Sequence, residues 1–428
     1  MDFFRYQDNE LYCEELPVAK IAEQVGTPAW VYSKATLLDH YRKIADAFAE
    51  LKPTICFSLK SVANLHVLKM LAAEGCGFDV TSGGELTRAL EAGDDPKKIV
   101  FAGVGKTDDE IRLGIESGVG AFNVESEAEF ENLSRIAADM GKPVRAALRV
   151  NPDVYDPKTH TYTVTGKKES KFGVDIERAV RFFHTYGKDR HVTLDAIHIH
   201  IGSPIYSPQP YVEAIQRTLE LIERLKTEGH AVKMLDIGGG FAADYEEGAS
   251  PAAAVYARSI VPLLRGTGLE IVLEPGRSIA CNAGILVAEV QYVKTGGDRN
   301  FVIVDAAMTD LIRPALYGGE HFIYPVRPSD GTLPERRMDF APADGVKVDI
   351  VGGVCESSDF LGKDRVLPTM RRGDLLAVFG AGAYGFTMSS NYNTRPRGPE
   401  VLVDGDRFRI VRRRETYDDL LALEREMA

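Results

Sequence analysis

Short runs rich in β-branched and other apolar residues recur through the first two-thirds of the chain, at 54–58, 78–80, 99–101, 121–124, 144–150, 194–199, 233–237 and 270–273. Between them lie charge-rich stretches, such as 86–92 and 211–228, whose apolar residues fall at helical spacing. Strands alternating with helices predict βα units and a parallel sheet. Eight such strands match a closed TIM barrel; a doubly wound sheet shows the same alternation, so the pattern by itself leaves both open. After Arg277 the texture changes. Runs at 285–293, 301–304, 348–351, 375–379, 400–403 and 407–411 read as strands without long helices between them, and 327–346 reads as an exposed excursion. The expectation is a (β/α)8 barrel over 33–278 and a mainly β domain built from 1–32 and 279–428.

Composition narrows the function more than the fold. The 428 residues allow two or three domains, and a net charge of −12 argues against nucleic acid or an anionic membrane as the main partner. No apolar run has the length of a membrane span. The opening Met-Asp-Phe-Phe-Arg lacks a basic segment followed by an apolar one, so the expected location is the cytoplasm. The five cysteines show no C-x-x-C spacing, which speaks against a disulfide framework or a zinc site, and no metal is expected.

In a TIM barrel the reacting groups come from the C-terminal ends of the strands and the loops after them. The first predicted strand leads into Leu59-Lys60, the second contains Asp79, and the fifth holds Arg149. The sixth runs into His200-Ile201-Gly202-Ser203, the seventh into Gly238-Gly239-Gly240-Phe241, and the eighth into Glu274-Pro275-Gly276-Arg277. Three glycines after an apolar strand let backbone N–H groups approach an anion, and barrel phosphate sites favour the loops after strands seven and eight. The alternative is a plain flexible turn. The G-x-x-x-x-G-K-[ST] pattern is missing, so nucleotide hydrolysis is unsupported. A lysine after an apolar strand is ordinarily a solvated charge; at the mouth of a pocket, beside other cations, its pKa would fall and it would trap a carbonyl. Glu274 is a plain surface acid unless it faces a pyridine nitrogen, which it would keep protonated.

These residues, with Phe57-Ser58-Leu59-Lys60-Ser61-Val62-Ala63-Asn64, resemble the fold-type III pyridoxal phosphate (PLP) decarboxylases. Asp305-Ala306-Ala307-Met308-Thr309-Asp310-Leu311-Ile312-Arg313-Pro314-Ala315-Leu316-Tyr317 is similar to the signature of the branch acting on diaminopimelate, as are Cys355-Glu356-Ser357-Ser358-Asp359-Phe360 and Gly380-Ala381-Gly382-Ala383-Tyr384-Gly385. The resemblance implies an alanine-racemase-like barrel with a C-terminal β-barrel or sandwich domain, in a head-to-tail homodimer with shared active sites. It implies that Lys60 carries PLP as a Schiff base, that His200 stacks on the ring and that Glu274 pairs with the ring nitrogen. Ser203, Gly238, Gly239, Gly240, Gly276, backbone near Arg277 and the Tyr384 hydroxyl would hold the phosphate, with Asp79 and Arg149 in support. Arg277, Arg313 and Tyr317, with Tyr384, would bind substrate. Cys355 would return a proton and Glu356 would meet the distal amine, both from the partner subunit.

The implied reaction is decarboxylation of meso-2,6-diaminopimelate to L-lysine, the last step of lysine biosynthesis by that route. The residue types suit it. A thiol, with an unperturbed pKa of about 8.5, is a reasonable acid near neutral pH, and a guanidinium fork binds a carboxylate bidentately. Ornithine has no distal carboxylate to reward two arginines, and a racemase has no clear task for Cys355. A non-catalytic PLP-binding homologue would be expected to lack Lys60, Cys355 or the second domain's motifs. Two segments depart from the family pattern. Pro204 stands where relatives often have glutamine, followed by Ile205-Tyr206-Ser207-Pro208, and Gly318-Gly319-Glu320 follows Tyr317.

Overall fold

The computed structural model describes residues 2–427 apart from 94, 158, 161–164, 166–169 and 247. The chain forms two compact units, one of Tyr41–Ala242 with Ser250–Ser278, the other of Met1–His40, Ala243–Ala249 and Ile279–Ala428. Compared with the expected boundaries, residues 33–40 and 243–249 fall in the second of these.

The first unit is the barrel. Its strands are β1 Thr54–Ser58, β2 Gly77–Val80, β3 Ile99–Phe101, β4 Ala121–Val124, β5 Val144–Asn151, β6 Val192–His198, β7 Met234–Asp236 and β8 Glu270–Leu273. Each pairs in parallel with the next, and β8 returns to β1 through Val272↔Thr54 and Leu273↔Ile55, so the sheet closes. Cys56, Val100, Ala121, Ala147, Ala196, Met234 and Val272, from seven of the eight strands, form one buried cluster. Side chains from strands that far apart meet only inside a closed sheet, and their small volumes suit its interior.

Helices follow the strands where the sequence supplies start signals. Asn64, Ser82, Ser126 and Asp175 each accept a hydrogen bond from a first-turn N–H, and Thr107 with Glu110 makes a reciprocal capping box. Gly114 shows how closely a helix lies on the sheet. A Cβ there would stand 2.7 Å from the Phe122 ring, which itself stacks on Phe101.

The second unit holds a nine-stranded sheet in the order Phe360–Leu367, Val346–Val351, Arg299–Val304, Gly284–Gly296, Ala29–Ser33, Glu400–Asp404 and Arg407–Arg412, with Leu375–Val378 and Ile323–Pro325 branching from Gly284–Gly296. Ala29–Ser33 is buried along its whole length, and the Tyr32 hydroxyl donates to Glu400 at 2.9 Å inside the core. The predicted excursion carries neither helix nor strand between 327 and 345. Among the elements that escaped the pattern are the strand Phe360–Leu367, whose sequence mixes charge with apolar residues, and the helix Tyr417–Arg425, none of whose residues is buried. Among the described residues no helix is long and apolar enough to cross a membrane.

Because the side chains inside the barrel form one buried cluster, enlarging one forces its neighbours off their rotamers. Ala147→Leu should lower stability by about 1–3 kcal/mol, read as a lower urea midpoint of the barrel transition with an unchanged slope.

Candidate active site

At the C-terminal end of the barrel, Lys60 lies two residues past β1. The turn that presents it is fixed by Ser58 N–H to Pro275 O (3.1 Å), Leu59 N–H to Asp79 O (3.1 Å) and Ser61 N–H to Ser58 O (3.1 Å). Its side chain is 37% exposed and its ammonium donates to Asp79 Oδ2 at 3.1 Å, while Ser58 Oγ donates to the same oxygen at 2.6 Å. The ion-pair partner is thus an acid, where the sequence suggested neighbouring cations. Burial and the Glu274 carboxylate push Asp79 upward, against the pull of Lys60 and Ser58, and its Oδ1 is buried with no hydrogen-bond partner among the described residues.

Glu274, directly after β8, is buried and still ionised. Burial pushes its carboxyl up, but the His198 imidazole and Lys60 outweigh that and hold it well below the usual range. His198 Nε2 lies 3.3 Å from Oε2, and Asn123 Nδ2 donates to Oε1 at 3.3 Å. Asp236, the neighbouring acid, is driven the other way by burial and by Glu274 itself. Of two buried carboxyls side by side, one therefore keeps its proton while the other carries the charge. His198, Asp236 and Glu274 offer ligand atoms within 4.8 Å of one another, close enough to gather a small cation.

Between these acids and the loop that follows β7 lies a backbone cradle. Asp236 Oδ1 accepts from Gly238 N–H at 2.8 Å, and Tyr211 Oη donates to Gly239 O at 2.8 Å. Gly238 and Gly240 have φ of 69° and 102°. An added Cβ would meet Ile199 O at 2.5 Å, Glu274 O at 2.2 Å and Gly202 O at 2.4 Å for Gly238, Gly239 and Gly240 in turn. Only glycine fits, which answers the question of a plain flexible turn. Gly276 is confined too, with Ser58 Cβ 3.0 Å from where its Cβ would stand. Arg277 Nε donates to Ser203 Oγ at 3.1 Å, tying the loop after β8 to the loop after β6.

His200 has a buried Nδ1 without a hydrogen-bond partner among the described residues, and burial, then Lys60 and Arg149, hold it well below the ordinary histidine value. A neutral ring suits stacking. Arg149 is buried, 3.4 Å from Glu125 and with its guanidinium 4.6 Å from the Phe172 ring centroid. Pro204, the first departure from the family pattern, has its carbonyl bound by Thr159 Oγ1 at 2.7 Å, and Tyr206 N–H donates to Asp156 at 2.9 Å. The variant loop is thereby anchored to residues after β5.

The other predicted residues belong to the second unit. Arg313 opens the short helix Arg313–Tyr317 and is buried. Its Nη1 lies 2.8 Å from His321 Nε2, and its guanidinium sits 4.6 Å from the Tyr245 ring centroid. Tyr317 is half-buried at the end of that helix. Tyr384, also half-buried, takes φ 57°, a left-handed conformation unusual for a bulky residue. Cys355 is the exposed cysteine, the other four being buried, and its N–H donates to Asn393 Oδ1 at 2.9 Å. Glu356, exposed beside it, accepts from Ser358 Oγ at 2.6 Å. Sequence pattern did not mark Ser58, Asn123, His198, Asp236, Tyr245 or His321. His198 offered one signal, its place at the end of β6, two positions before His200.

The barrel set fits pyridoxal phosphate. A primary amine stands at the mouth, an ionised buried carboxylate lies below it for the pyridine nitrogen, a neutral imidazole is present for the ring face, and a glycine cradle is shaped for a phosphate. In agreement, the family model described as "Pyridoxal-dependent decarboxylase, pyridoxal binding domain" matches residues 34–281. The class is therefore a PLP-dependent decarboxylase of the fold-type III kind. Over 99% of its length the chain is 48% identical to the diaminopimelate decarboxylase of Pseudomonas aeruginosa, covering 98% of that protein. Solved structures agree. The diaminopimelate decarboxylase of Helicobacter pylori complexed with L-lysine is 36% identical, with a TM-score of 0.88 over 96% of this chain and 100% of that one. That of M. jannaschii, also with L-lysine, is 34% identical, with a TM-score of 0.91 over 99% and 98%. The chain belongs to the diaminopimelate decarboxylase family.

One signature residue has a consequence for stability. Asp310 accepts from Ala307 N–H at 2.8 Å and is raised to about 7, by burial first and then by Asp305 and Asp359, with Arg395 and the Ala307 bond pulling against them. The folded carboxyl keeps its proton to about pH 7 while the unfolded one loses it near 3.8, so its contribution is full below 3.8 and is lost as pH rises through 7. Asp310→Asn keeps an acceptor for Ala307 and cannot titrate. Between about pH 5 and 8 the wild type should lose roughly 3 kcal/mol relative to this variant, measured by urea unfolding at both pH values.

Proposed function

We propose that this chain decarboxylates meso-2,6-diaminopimelate to L-lysine and CO2, the closing step of lysine biosynthesis by that route. The observation that carries the substrate assignment is Arg313, a buried guanidinium with no carboxylate partner among the described residues. A buried cation needs an anion, and the distal carboxylate of the substrate supplies one. An amino acid ending in a bare amine does not.

The roles we assign are supported by the geometry and by the family. Lys60 Nζ would hold the cofactor's aldehyde carbon, Glu274 its pyridine nitrogen and His200 its ring face, with Asp79 and Arg149 in support. Gly238, Gly239, Gly240, Gly276, Ser203, backbone near Arg277 and the Tyr384 hydroxyl would hold its phosphate. Bound there, pyridoxal phosphate would supply the sink for the electron pair left when a carboxylate departs as CO2. Arg277, Arg313 and Tyr317 fix the retained carboxylate, so that the other one stands at the reacting carbon. Cys355 Sγ–H delivers one proton to that carbon, and Glu356 accepts the distal ammonium.

The same reading assigns 33–278 as the cofactor domain and 1–32 with 279–428 as the domain completing the site. It takes the enzyme to be a homodimer in which Cys355 and Glu356 serve the site headed by Lys60 of the other copy. An exposed acid beside an exposed carboxylate supports that, since the proton must be delivered where water is shut out. Five cysteines free of disulfides suit the reducing cytoplasm.

Purified protein should show the visible absorbance of lysine-bound pyridoxal phosphate and release CO2 from meso-diaminopimelate, and Lys60→Ala should abolish both. Release from ornithine but not from diaminopimelate would overturn the substrate. Mixing inactive Lys60→Ala with inactive Cys355→Ala subunits should restore partial activity. No recovery after demonstrated subunit exchange would remove the cross-subunit role of Cys355.

A further inference from the structure

Two other cations with buried side chains, Lys106 and Arg149, are matched with acids. Lys106 Nζ pairs with Glu129 at 2.7 Å, and Arg149 with Glu125 at 3.4 Å. Arg313 differs. Its nitrogen partner is an imidazole, and its π-face partner is Tyr245. The imidazole is held as firmly as the arginine. His321 is fully buried, its Nδ1 lies 2.8 Å from Phe379 O, and Tyr245 packs edge-on against it with centroids 5.4 Å apart.

The chemistry of the partners fixes the tautomer. A guanidinium only donates, so His321 Nε2 accepts; a carbonyl only accepts, so Nδ1 carries the hydrogen. His321 is thereby a neutral bridge from the Phe379 backbone to Arg313. It directs one Nη1–H without cancelling the charge, which a carboxylate in its place would do. The remaining N–H groups of the fork stay available for a bidentate carboxylate. The second segment that departs from the family pattern packs against the same arginine. Gly319 N–H donates to Arg313 O at 3.2 Å, and a Cβ at Gly319 would stand 3.5 Å from Arg313 Nη2, in ordinary contact with that fork.

We infer that His321 is a positioning residue for carboxylate recognition: as a neutral acceptor anchored to Phe379 O, it orients Arg313 toward the substrate carboxylate that survives the reaction, with Tyr245 flanking the guanidinium. This rests on the reading that Arg313 binds that carboxylate. Because the group lies away from the carbon that loses CO2, its effect falls on binding and not on the chemical step.

The test uses the holoenzyme with meso-diaminopimelate as substrate and two inhibitors: L-lysine, which keeps the carboxylate in question, and cadaverine, which lacks it. His321→Ala should raise KM about 10- to 100-fold, the range for losing a hydrogen bond to a charged group, with kcat within about threefold. It should weaken L-lysine inhibition by a similar factor and leave cadaverine unchanged. His321→Gln, whose Oε1 can still accept from Arg313, should restore most of the affinity. His321→Asn, too short to reach, should not. Retained visible absorbance of the bound cofactor certifies that the variants fold. If Arg313→Gln leaves L-lysine inhibition unaltered, the carboxylate reading itself fails. If Arg313→Gln weakens it while His321→Ala does not, or if His321→Ala weakens both inhibitors alike, the positioning role is overturned.

Discussion

Keeping one carboxylate ionised inside a buried barrel mouth is the constraint around which the rest of the structure is arranged. Glu274, Asp79 and Asp236 come from neighbouring strand ends, and three buried carboxylates cannot all carry charge together. Each is settled differently. Asp79 is given Lys60 and Ser58, and Asp236 is left near Glu274 and pushed toward its protonated form. Glu274 alone receives both His198 and Asn123. The result is a fixed negative charge of known address, which is what a pyridine nitrogen requires to stay protonated.

That arrangement is also the strongest physical argument for closure of the sheet. Asn123 lies on β4 and Glu274 just beyond β8, four strand spacings apart along either path. In an open sheet, at about 4.8 Å per strand, they would stand about 19 Å apart. The observed 3.3 Å contact exists only because β8 pairs with β1. Alternation of strands and helices could not separate a barrel from a doubly wound sheet; a polar pair across the ring does.

The same geometry explains which features were legible in the sequence. Parallel strands covered on both faces read as continuous apolar runs, so 54–58, 99–101, 121–124 and 270–273 have the bounds found in the structure. Lys60, Glu274 and the three glycines stood out because they break such runs at strand ends. Asn123, His198 and Asp236 did not, since a single polar residue inside an apolar strand declares no partner, and theirs are supplied by strands distant in sequence. His321 was hidden for a related reason, eight positions beyond Arg313 in a segment notable only for its glycines. Ala29–Ser33 is far in sequence from Gly284–Gly296 and Glu400–Asp404, the strands that flank it, so nothing local announces it as a central strand.

On the proposed reading of Arg313, selectivity reduces to how a buried cation is compensated. Lys106 and Arg149 carry their acids with them, so their charge is spent within the protein and fixes structure. Arg313 is flanked by a neutral imidazole and an aromatic face, which orient the guanidinium and leave its charge in place. Under the role proposed for Arg313, a ligand bringing a carboxylate would complete the ion pair, whereas one ending in a bare amine would leave the guanidinium buried without its counterion and add a second cation beside it. Sites built to pair a polar group discriminate strongly against analogues that lack it, whereas apolar pockets separate close analogues weakly. The distinction between a diacid and its basic relatives therefore needs no steric gate. It needs an arginine held rigidly by groups that cannot neutralise it.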